Sequence, residues 1–349
     1  MRIDHTRKII TAADLVASPL WYPLSCAAGQ TTVVRLTEAD YRAASFLDER
    51  LLKAHPVTES SPVTTLEEAA NSLMPEANYV FHVGHVGSTL VSRLVGEHAG
   101  VFSVREPMLL RTLAGGEHTL SLRATVALLS RTWRPEQRAV IKASSFVSEI
   151  APRLLGAGAD SRAMLMFASA GTYLRCILGG PNSRVEARIL GAGRLQRLRR
   201  RFPGVAPALA PQSEGEWIAM GWLSEMSALE AAAHSFPART HWVDFDRFLT
   251  APAAELGVIM RSLGAHVTPK EVETLACSPL LSQYSKAPEF PYDATLRREV
   301  LQSAEKQHGA EIELGTAWLD RAARAHPSLA AIMDRGGSAV APLPRARPS

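Results

Sequence analysis

The chain has 349 residues, 46% of them hydrophobic, and a formal net charge of +4. This composition supports a substantial buried core in one large domain or two small ones, and the modest positive charge suits an anionic ligand but excludes a nucleic-acid-binding surface. Three widely spaced cysteines, Cys26, Cys176 and Cys277, exclude a disulfide framework. No run of about 18 apolar residues occurs, so we expect a cytoplasmic protein without membrane contact.

Residues 1–76 precede the first long apolar strand. Within them the pattern predicts a short strand at Thr31–Leu36, a helical stretch around Glu38–Lys53 and a linker rich in Pro, Ser and Thr at 56–65. We therefore expect an N-terminal extension that packs on the main domain.

A glycine-containing loop follows the first core strand. The apolar run Tyr79–Val83 leads into Gly84 and Gly87, and a helical pattern begins after two hydroxyl residues, Ser88 and Thr89. The glycines allow tight turns that bring backbone N–H groups close to an anion, and the following helix N-terminus adds partial positive charge. The sequence thus predicts a phosphate-binding loop, with an ordinary strand-to-helix turn as the alternative.

Four further apolar strands alternate with helical patterns. They lie near 101–104, 139–142, 163–167 and 240–244. This alternation predicts an α/β fold: a P-loop NTPase-like, three-layer domain over 77–330, in which helices cover both faces of a parallel sheet. Because ligands bind at the carboxyl ends of parallel strands, Lys142 is well placed to meet an anion.

The last third of the chain is largely helical. Over 183–236, seven arginines crowd one segment: Arg184, Arg188, Arg194, Arg197, Arg199, Arg200 and Arg201. A solvated helix face is one interpretation, and a lid that delivers arginines to an anion is the other. Two prolines interrupt regular structure at 285–293, where Lys286 is either a ligand contact or part of a plain surface loop. The end, 331–349, is predicted to be disordered.

Two common interpretations of such a loop fail here. The Walker pattern needs glycine at position 82 and lysine at position 88, but the chain has His82 and Ser88, which argues against a nucleoside triphosphatase. His82 and His85 have no carboxylate or cysteine near them in sequence, so no metal site is predicted. Asp244 and Asp246 follow the last strand, where a Walker protein binds magnesium; without the loop lysine we favour a structural or positioning role for them.

The segment His85-Val86-Gly87-Ser88-Thr89-Leu90 resembles the loop of sulfotransferases that use 3′-phosphoadenosine 5′-phosphosulfate (PAPS), with His in the usual Lys or Arg place. A protonated His85 would supply the missing charge. In the tyrosylprotein branch of the family, a glutamate at the spacing of Glu106 is the general base, and the resemblance implies this role for Glu106. Lys142 resembles the lysine that neutralises the transferring sulfonate. Without the family, Glu106 would be a surface pair or helix cap, and Lys142 a solvated strand end.

The resemblance spans roughly residues 77–265 and weakens at the residues that bind the donor's 3′-phosphate. There the family has an arginine at a strand end and a serine eight residues later, whereas this chain has Ala168 and Cys176. Three possibilities stay open: neighbours bind the 3′-phosphate, the donor differs, or donor binding is lost. The candidate substitutes are Ser169, Thr172, Arg175 and, if the arginine-rich helix closes over the donor, Arg197.

The sequence therefore predicts a fold of the sulfotransferase type and, by resemblance, transfer of a sulfuryl group from PAPS to a hydroxyl or amine of a small-molecule or peptide acceptor. The loop Gly84–Thr89, Ser169, Arg175 and Arg197 would bind PAPS; His85, Lys142 and Glu106 would act in catalysis. Two alternatives stay open: a P-loop small-molecule kinase, which needs magnesium, and a noncatalytic module that keeps the fold. Nucleic acid and membrane are not predicted partners, and the sequence indicates neither the acceptor nor the oligomeric state.

Overall fold

A computed structural model describes residues 9–116, 120–203, 209–283 and 293–337. The N-terminal elements are α1 (Ala12–Ala17), β1 (Trp21–Ala27), β2 (Gln30–Arg35), α2 (Glu38–Ala43), α3 (Leu51–Ala54), β3 (Thr58–Pro62) and α4 (Val63–Asn71). The three strands form an antiparallel sheet in the order β1–β2–β3.

The N-terminal prediction is confirmed in part. The observed β2 matches the predicted strand to within one residue. The predicted linker at 56–65 is wrong, because this segment pairs with β2 as β3, with Ser61 opposite Thr31. β-branched threonines fit a pleated sheet, and ladder pairing outweighs the turn tendency of Ser and Pro here. The predicted helix over 38–53 is interrupted: α2 ends at Ala43, and α3 begins only at Leu51.

The central sheet has five strands. They are β4 (Asn78–His82), β5 (Val101–Arg105), β6 (Arg138–Lys142), β7 (Ala163–Phe167) and β8 (Thr240–Asp244). All neighbouring strands are parallel, in the order β5–β6–β4–β7–β8. Every residue of β4 and β7 is buried, as expected for uninterrupted apolar runs in a parallel sheet. The α/β prediction and the five predicted strands are confirmed.

Helices flank this sheet and complete the chain. They are α5 (Ser88–Val95), α6 (Met108–Gly115), α7 (Leu122–Leu129), α8 (Ala151–Ala157), α9 (Ala170–Leu178), α10 (Pro181–Arg201), α11 (Glu214–Ser235), α12 (Phe245–Thr250), α13 (Pro252–Ser262), α14 (Pro269–Ala276), α15 (Ala294–Ala325, kinked at His308) and α16 (Pro327–Arg335). The predicted tail boundary at 331 is too early, because α16 continues to Arg335. Lys286 and residues 338–349 lie outside the described residues.

The N-terminal unit and the central sheet share one core. Tyr22, Val34, Tyr41 and Leu47 are buried in the same apolar cluster as the strands of the parallel sheet. Burial of apolar surface is the main stabilising term in folding, so this shared cluster fixes the unit against β5. Among the described residues, no helix has the length and apolar character needed to cross a bilayer.

Candidate active site

The loop between β4 and α5 has the backbone of an anion cradle. Three of its residues have positive φ: Gly84 (+91°), His85 (+55°) and Gly87 (+61°). At Gly87 a Cβ atom would lie 2.0 Å from the ring of Phe245, so only glycine fits. The helix α5 begins directly afterwards, at Ser88. Left-handed turns leading into a helix N-terminus direct N–H groups toward a common point, where an anion binds.

Two hydroxyl groups in the first turn of α5 complete this cradle. Ser88 and Thr89 are buried, and both line the adjoining cavity. Within the described part of the chain, Thr89 Oγ1 has no hydrogen-bond partner. A buried polar group left in this state costs roughly 1–3 kcal/mol. An oxygen-rich ligand at the helix N-terminus would accept this hydrogen bond and remove the cost.

The two histidines of the loop region have different surroundings, and His82 is structural. The N–H of Gly84 donates to His82 Nδ1 at 3.0 Å. The ring proton therefore lies on Nε2, which donates to the carbonyl of Ala143 at 2.9 Å. These bonds fasten the loop to the end of β6. No group of three potential metal ligands occurs among residues 9–116, 120–203, 209–283 and 293–337.

His85, in contrast, contacts helix α10. Its Nε2 lies 3.3 Å from a carboxylate oxygen of Glu186, and its Nδ1 lies 3.3 Å from Ser183 Oγ. The Cys176 thiol lies 3.8 Å from the His85 carbonyl. The loop is thus held by α9 and α10 as well as by its own strand. The ring lines the cavity, and its predicted catalytic role stays a prediction.

Glu106 and Lys142 meet at the ends of the adjacent strands β5 and β6. Lys142 Nζ forms an ion pair with Glu106 Oε1, and Ser144 Oγ donates to Glu106 Oε2 at 3.0 Å. The lysine side chain is only 1% exposed, so the alternative of a solvated strand end is wrong. The helix-cap alternative for Glu106 is also wrong, because Pro107 is the N-cap of α6 and no side chain caps that helix.

The backbone of Glu106 is unusual. Its φ is +49°, and its N–H donates to the carbonyl of Lys142 at 2.6 Å. A non-glycine residue with positive φ is uncommon, and such strain clusters at functional sites. This conformation turns the carboxylate toward Lys142 and into the cavity wall.

The segment between α2 and α3 holds Glu106 in this position. The N–H of Leu47 donates to the carbonyl of Arg105 at 2.8 Å, and the N–H of Met108 donates to the carbonyl of Leu47 at 3.1 Å. The guanidinium of Arg105 donates to the carbonyls of Tyr41, Arg42 (3.0 Å) and Ala44 (2.9 Å). Burial, with a smaller contribution from the charge of Arg93, lowers the pKa of Arg105 to about 9. Sequence reasoning missed this support, because it is formed by backbone atoms distant in sequence.

The polar groups at the end of β7 bond to other parts of the protein. Ala168 is buried, and its carbonyl accepts a hydrogen bond of 3.0 Å from Trp222 Nε1, itself fully buried. Ser169 is the N-cap of α9: its hydroxyl accepts from the N–H of Thr172 at 3.2 Å and contacts the hydroxyl of that residue. Neither Ser169 nor Thr172 is among the residues that line the cavity.

The arginines predicted for the 3′-phosphate form ion pairs with carboxylates of other elements. Arg175 forms an ion pair with Glu305 of α15. Arg197 contacts Glu225 at 3.2 Å and Glu149 at 3.8 Å, and burial lowers its pKa despite these carboxylates. Neither arginine lines the cavity, so their predicted role in donor binding stays a prediction.

Further arginines of α10 also point inward. Arg194 is 3% exposed and binds Glu225 at 2.9 Å, and Arg201 pairs with Glu149. The interpretation of 184–201 as a fully solvated face is therefore wrong for these residues, while Arg199 and Arg200 are exposed. The network packs α10 against α11 and the 3₁₀ turn Ser145–Ile150.

A cavity of about 600 Å³ joins the loop, the Glu106–Lys142 pair and helix α15. On the α15 side of the cavity, Arg297 is 6% exposed, lies over the ring of Phe245 at 4.9 Å and binds Asp246 at 2.9 Å. Asp244 is the N-cap of α12, and burial raises its pKa. Both aspartates thus have structural partners. Sequence reasoning missed Arg297, which is more than two hundred residues from the loop.

Comparisons with known proteins give the following result. No protein-family model matches the chain, and no curated protein matches it in sequence. A sulfotransferase domain from the curacin biosynthetic pathway is 14% identical with a TM-score of 0.41, covering 67% of this chain and 98% of its own. A sulfotransferase domain from the Synechococcus PCC 7002 olefin synthase is 11% identical with a TM-score of 0.41, and the match covers 76% of this chain and 96% of that domain.

A third solved structure is mouse sulfotransferase SULT7A1 complexed with PAP, which is 11% identical with a TM-score of 0.39 and covers 77% of this chain and 93% of its own. Such identities and TM-scores are too low to assign roles to single residues. The three structures are described as sulfotransferases or sulfotransferase domains, the family that residues 85–90 of this chain resemble.

Proposed function

We propose that this chain transfers a sulfuryl group from PAPS to a hydroxyl or amine acceptor. The observation that supports this most is the cluster of Glu106, Lys142 and Ser144 beside the glycine loop. It combines a carboxylate that can accept a proton with an ammonium group that can stabilise developing negative charge. Sulfuryl transfer should resemble phosphoryl transfer, which depends mainly on positioning and on electrostatic stabilisation.

The phosphosulfate half of PAPS fits the loop. Backbone N–H groups of 84–89 and the hydroxyls of Ser88 and Thr89 are the donors that oxyanions require. The buried Thr89 hydroxyl, which lacks a partner among the described residues, supports this assignment.

The 3′-phosphate half needs a cation from elsewhere, because Ala168 at the end of β7 has no charged side chain and its carbonyl is bonded to Trp222. Arg297 is the cavity-lining cation on this side, and its guanidinium is oriented by Asp246 and Phe245. Charge-assisted hydrogen bonds from a guanidinium suit phosphate. We assign the 3′-phosphate contact to Arg297.

Each residue of the cluster then has a separate role in the transfer. When bound, the donor supplies a sulfuryl group whose bond to the 5′-phosphate oxygen breaks as its bond to the acceptor atom forms. Glu106 accepts the proton of the acceptor hydroxyl or amine. Lys142 lies between Glu106 and the loop, so its ammonium group can turn from the carboxylate to the sulfonate oxygens, which leaves Glu106 available as a base. Ser144 keeps the carboxylate oriented throughout.

A transfer assay tests this proposal. The protein is incubated with PAPS and separate pools of phenols, alkyl alcohols and amines, and mass spectrometry detects sulfated product while chromatography measures 3′,5′-adenosine bisphosphate. We expect sulfated product and bisphosphate in equal amounts without added metal. Absence of product from every pool, or phosphorylated product with ATP and magnesium instead, would overturn the proposal.

A further inference from the structure

The acceptor's body must lie on the side of Glu106 that faces away from the loop. This follows if the proposed function holds, because the reacting hydroxyl has to fit between the phosphosulfate at the loop and the carboxylate of Glu106. The walls of the cavity there are built by Phe46 and Arg50, from the segment between α2 and α3, and by Arg111 of α6. Hydrogen bonds on both flanks of Glu106 fix this segment beside the base.

A small cationic cluster forms the far end of this region. Asp48 is 1% exposed, and its carboxylate accepts from Arg50 Nε at 2.8 Å and from Arg111 Nη1 at 3.1 Å. One buried carboxylate thus serves two guanidinium groups. Glu49 is 4.0 Å from Arg111, but its side chain is 58% exposed, so solvent screens it strongly. The cluster keeps an excess of positive charge at the cavity wall.

Arg50 is held in a fixed orientation. Its guanidinium lies 3.5 Å from the centroid of the Phe46 ring while Asp48 binds its edge. Burial alone would lower the pKa of Arg50, but the hydrogen bonds and charge of Asp48, and then the charges of Glu106 and Glu49, raise it. A guanidinium oriented in advance binds a carboxylate with little loss of side-chain entropy.

Part of the cavity wall is apolar. Phe46 and Phe146 line it together with Val185 and Ile189, which are one turn apart on α10. Val185 is 51% exposed and Ile189 is 74% exposed. Large aliphatic side chains left exposed at a cavity mouth are typical of ligand-binding sites.

We infer that the acceptor is a small hydroxy compound with an apolar body and a carboxylate at the end opposite its hydroxyl. The carboxylate binds Arg111 and Arg50, the body packs between the two phenylalanines and the α10 side chains, and the hydroxyl reaches Glu106. A cavity of about 600 Å³ also has to hold the donor, which favours a small molecule over a folded or long peptide substrate.

A matched set of ligands tests this inference directly. Hydroxyphenyl acetate, propionate and butyrate are compared with their carboxamides, which keep the shape and remove the charge. Binding is measured by isothermal titration with 3′,5′-adenosine bisphosphate present and absent, so it does not depend on turnover. The wild type is compared with Arg111→Gln, Arg50→Gln and, as a matched control, Arg153→Gln on the exposed face of α8.

We expect at least one carboxylate to bind about tenfold more tightly than its amide, as one charge-assisted hydrogen bond provides. The ratio of carboxylate affinity to amide affinity should fall toward one in Arg111→Gln and Arg50→Gln and stay at its wild-type value in Arg153→Gln. The inference would be overturned if the wild type bound carboxylates and amides equally, if no carboxylate bound, or if the carboxylate preference survived both cavity variants. Tight binding of an acidic tyrosine peptide alone would overturn it as well. Sulfuryl transfer to neutral phenols with no carboxylate preference would sink this inference while leaving the proposed function intact.

Discussion

The two sides of the cavity use their charged residues in different ways. At the ends of β5 and β6, Glu106, Lys142 and Ser144 bond to one another in the cavity wall. At the end of β7, the carbonyl of Ala168 accepts from Trp222, and the nearby arginines of α9 and α10 pair with carboxylates of α15 and α11. The groups proposed for proton transfer are therefore gathered on one side, whereas the arginines on the other side connect helices to one another.

This contrast has a chemical reason. A general base must lie within hydrogen-bond reach of one particular proton, so its position in the fold is fixed. A phosphate, by comparison, can be bound by any cation that reaches its oxygens. Under the proposed function, the sheet therefore holds the reacting groups, and Arg297 of α15 binds the 3′-phosphate.

The largest expected effect comes from the loop that the two sides share. Replacing Gly87 by valine places a side chain into the ring of Phe245 at a backbone φ of +61°. Loss of two or more hydrogen bonds to a charged ligand should weaken the binding of 3′,5′-adenosine bisphosphate by more than about 100-fold. Titration calorimetry measures this, and circular dichroism checks the fold.

Gly193→Ala on α10 is the matched control, since the nearest atom to its added Cβ is 3.5 Å away. It should retain binding and stabilise the helix by roughly 0.5–1 kcal/mol. If folded Gly87→Val bound 3′,5′-adenosine bisphosphate with wild-type affinity, the loop would not be its binding site.

On the proton-transfer side, Glu106→Gln keeps the shape of the side chain but removes the proton acceptor. Turnover should fall by about 10²–10⁴-fold, with nucleotide affinity nearly unchanged. Steady-state kinetics together with calorimetry separates the two quantities. Glu76→Gln, which precedes β4 at the opposite end of the sheet, should leave both unchanged. If Glu106→Gln turned over at the wild-type rate, the carboxylate would be structural.

On the nucleotide side, Arg297→Met and Arg197→Met should behave differently. Because one charge-assisted contact is lost, Arg297→Met should weaken the binding of 3′,5′-adenosine bisphosphate by about 10–100-fold and the binding of 5′-AMP much less. Arg197→Met should lower the melting temperature, because Glu225 and Glu149 lose a partner, but keep the affinity ratio of the two nucleotides. A selective loss of the bisphosphate in Arg197→Met instead would support its predicted role as a donor-binding residue.

The smallest effect concerns the orientation of the base. Ser144→Ala removes the 3.0 Å hydrogen bond to Glu106 Oε2. Turnover should fall by no more than about tenfold, less than the full value of a hydrogen bond to a charged group, because Lys142 still holds the carboxylate. Ser121→Ala, at the N-cap of α7, should cost about 1 kcal/mol of stability and leave turnover unchanged. A loss above 100-fold in Ser144→Ala would mean that the hydroxyl takes part in the reaction itself.

The sequence predicts the parts of this site that are local or tied to strand ends. The glycine loop, the five strands and the position of Lys142 at a strand end follow from short patterns and from the geometry of parallel sheets. Three features do not follow. The backbone support at Leu47 and the contact of Arg297 with Phe245 join residues distant in sequence, and the inward direction of Arg197 depends on how α10 rotates against α11. Such choices are made by tertiary packing.

The most direct test of the central claim compares three nucleotides by their effect on the melting temperature. The proposed function predicts that 3′,5′-adenosine bisphosphate stabilises the protein without metal, and more than 5′-AMP or ATP with magnesium does at the same concentration, because a ligand that binds the native state alone raises the melting temperature by an amount that increases with the logarithm of its affinity. Equal shifts for the bisphosphate and 5′-AMP, or a larger shift with ATP and magnesium, would contradict a PAPS-binding site.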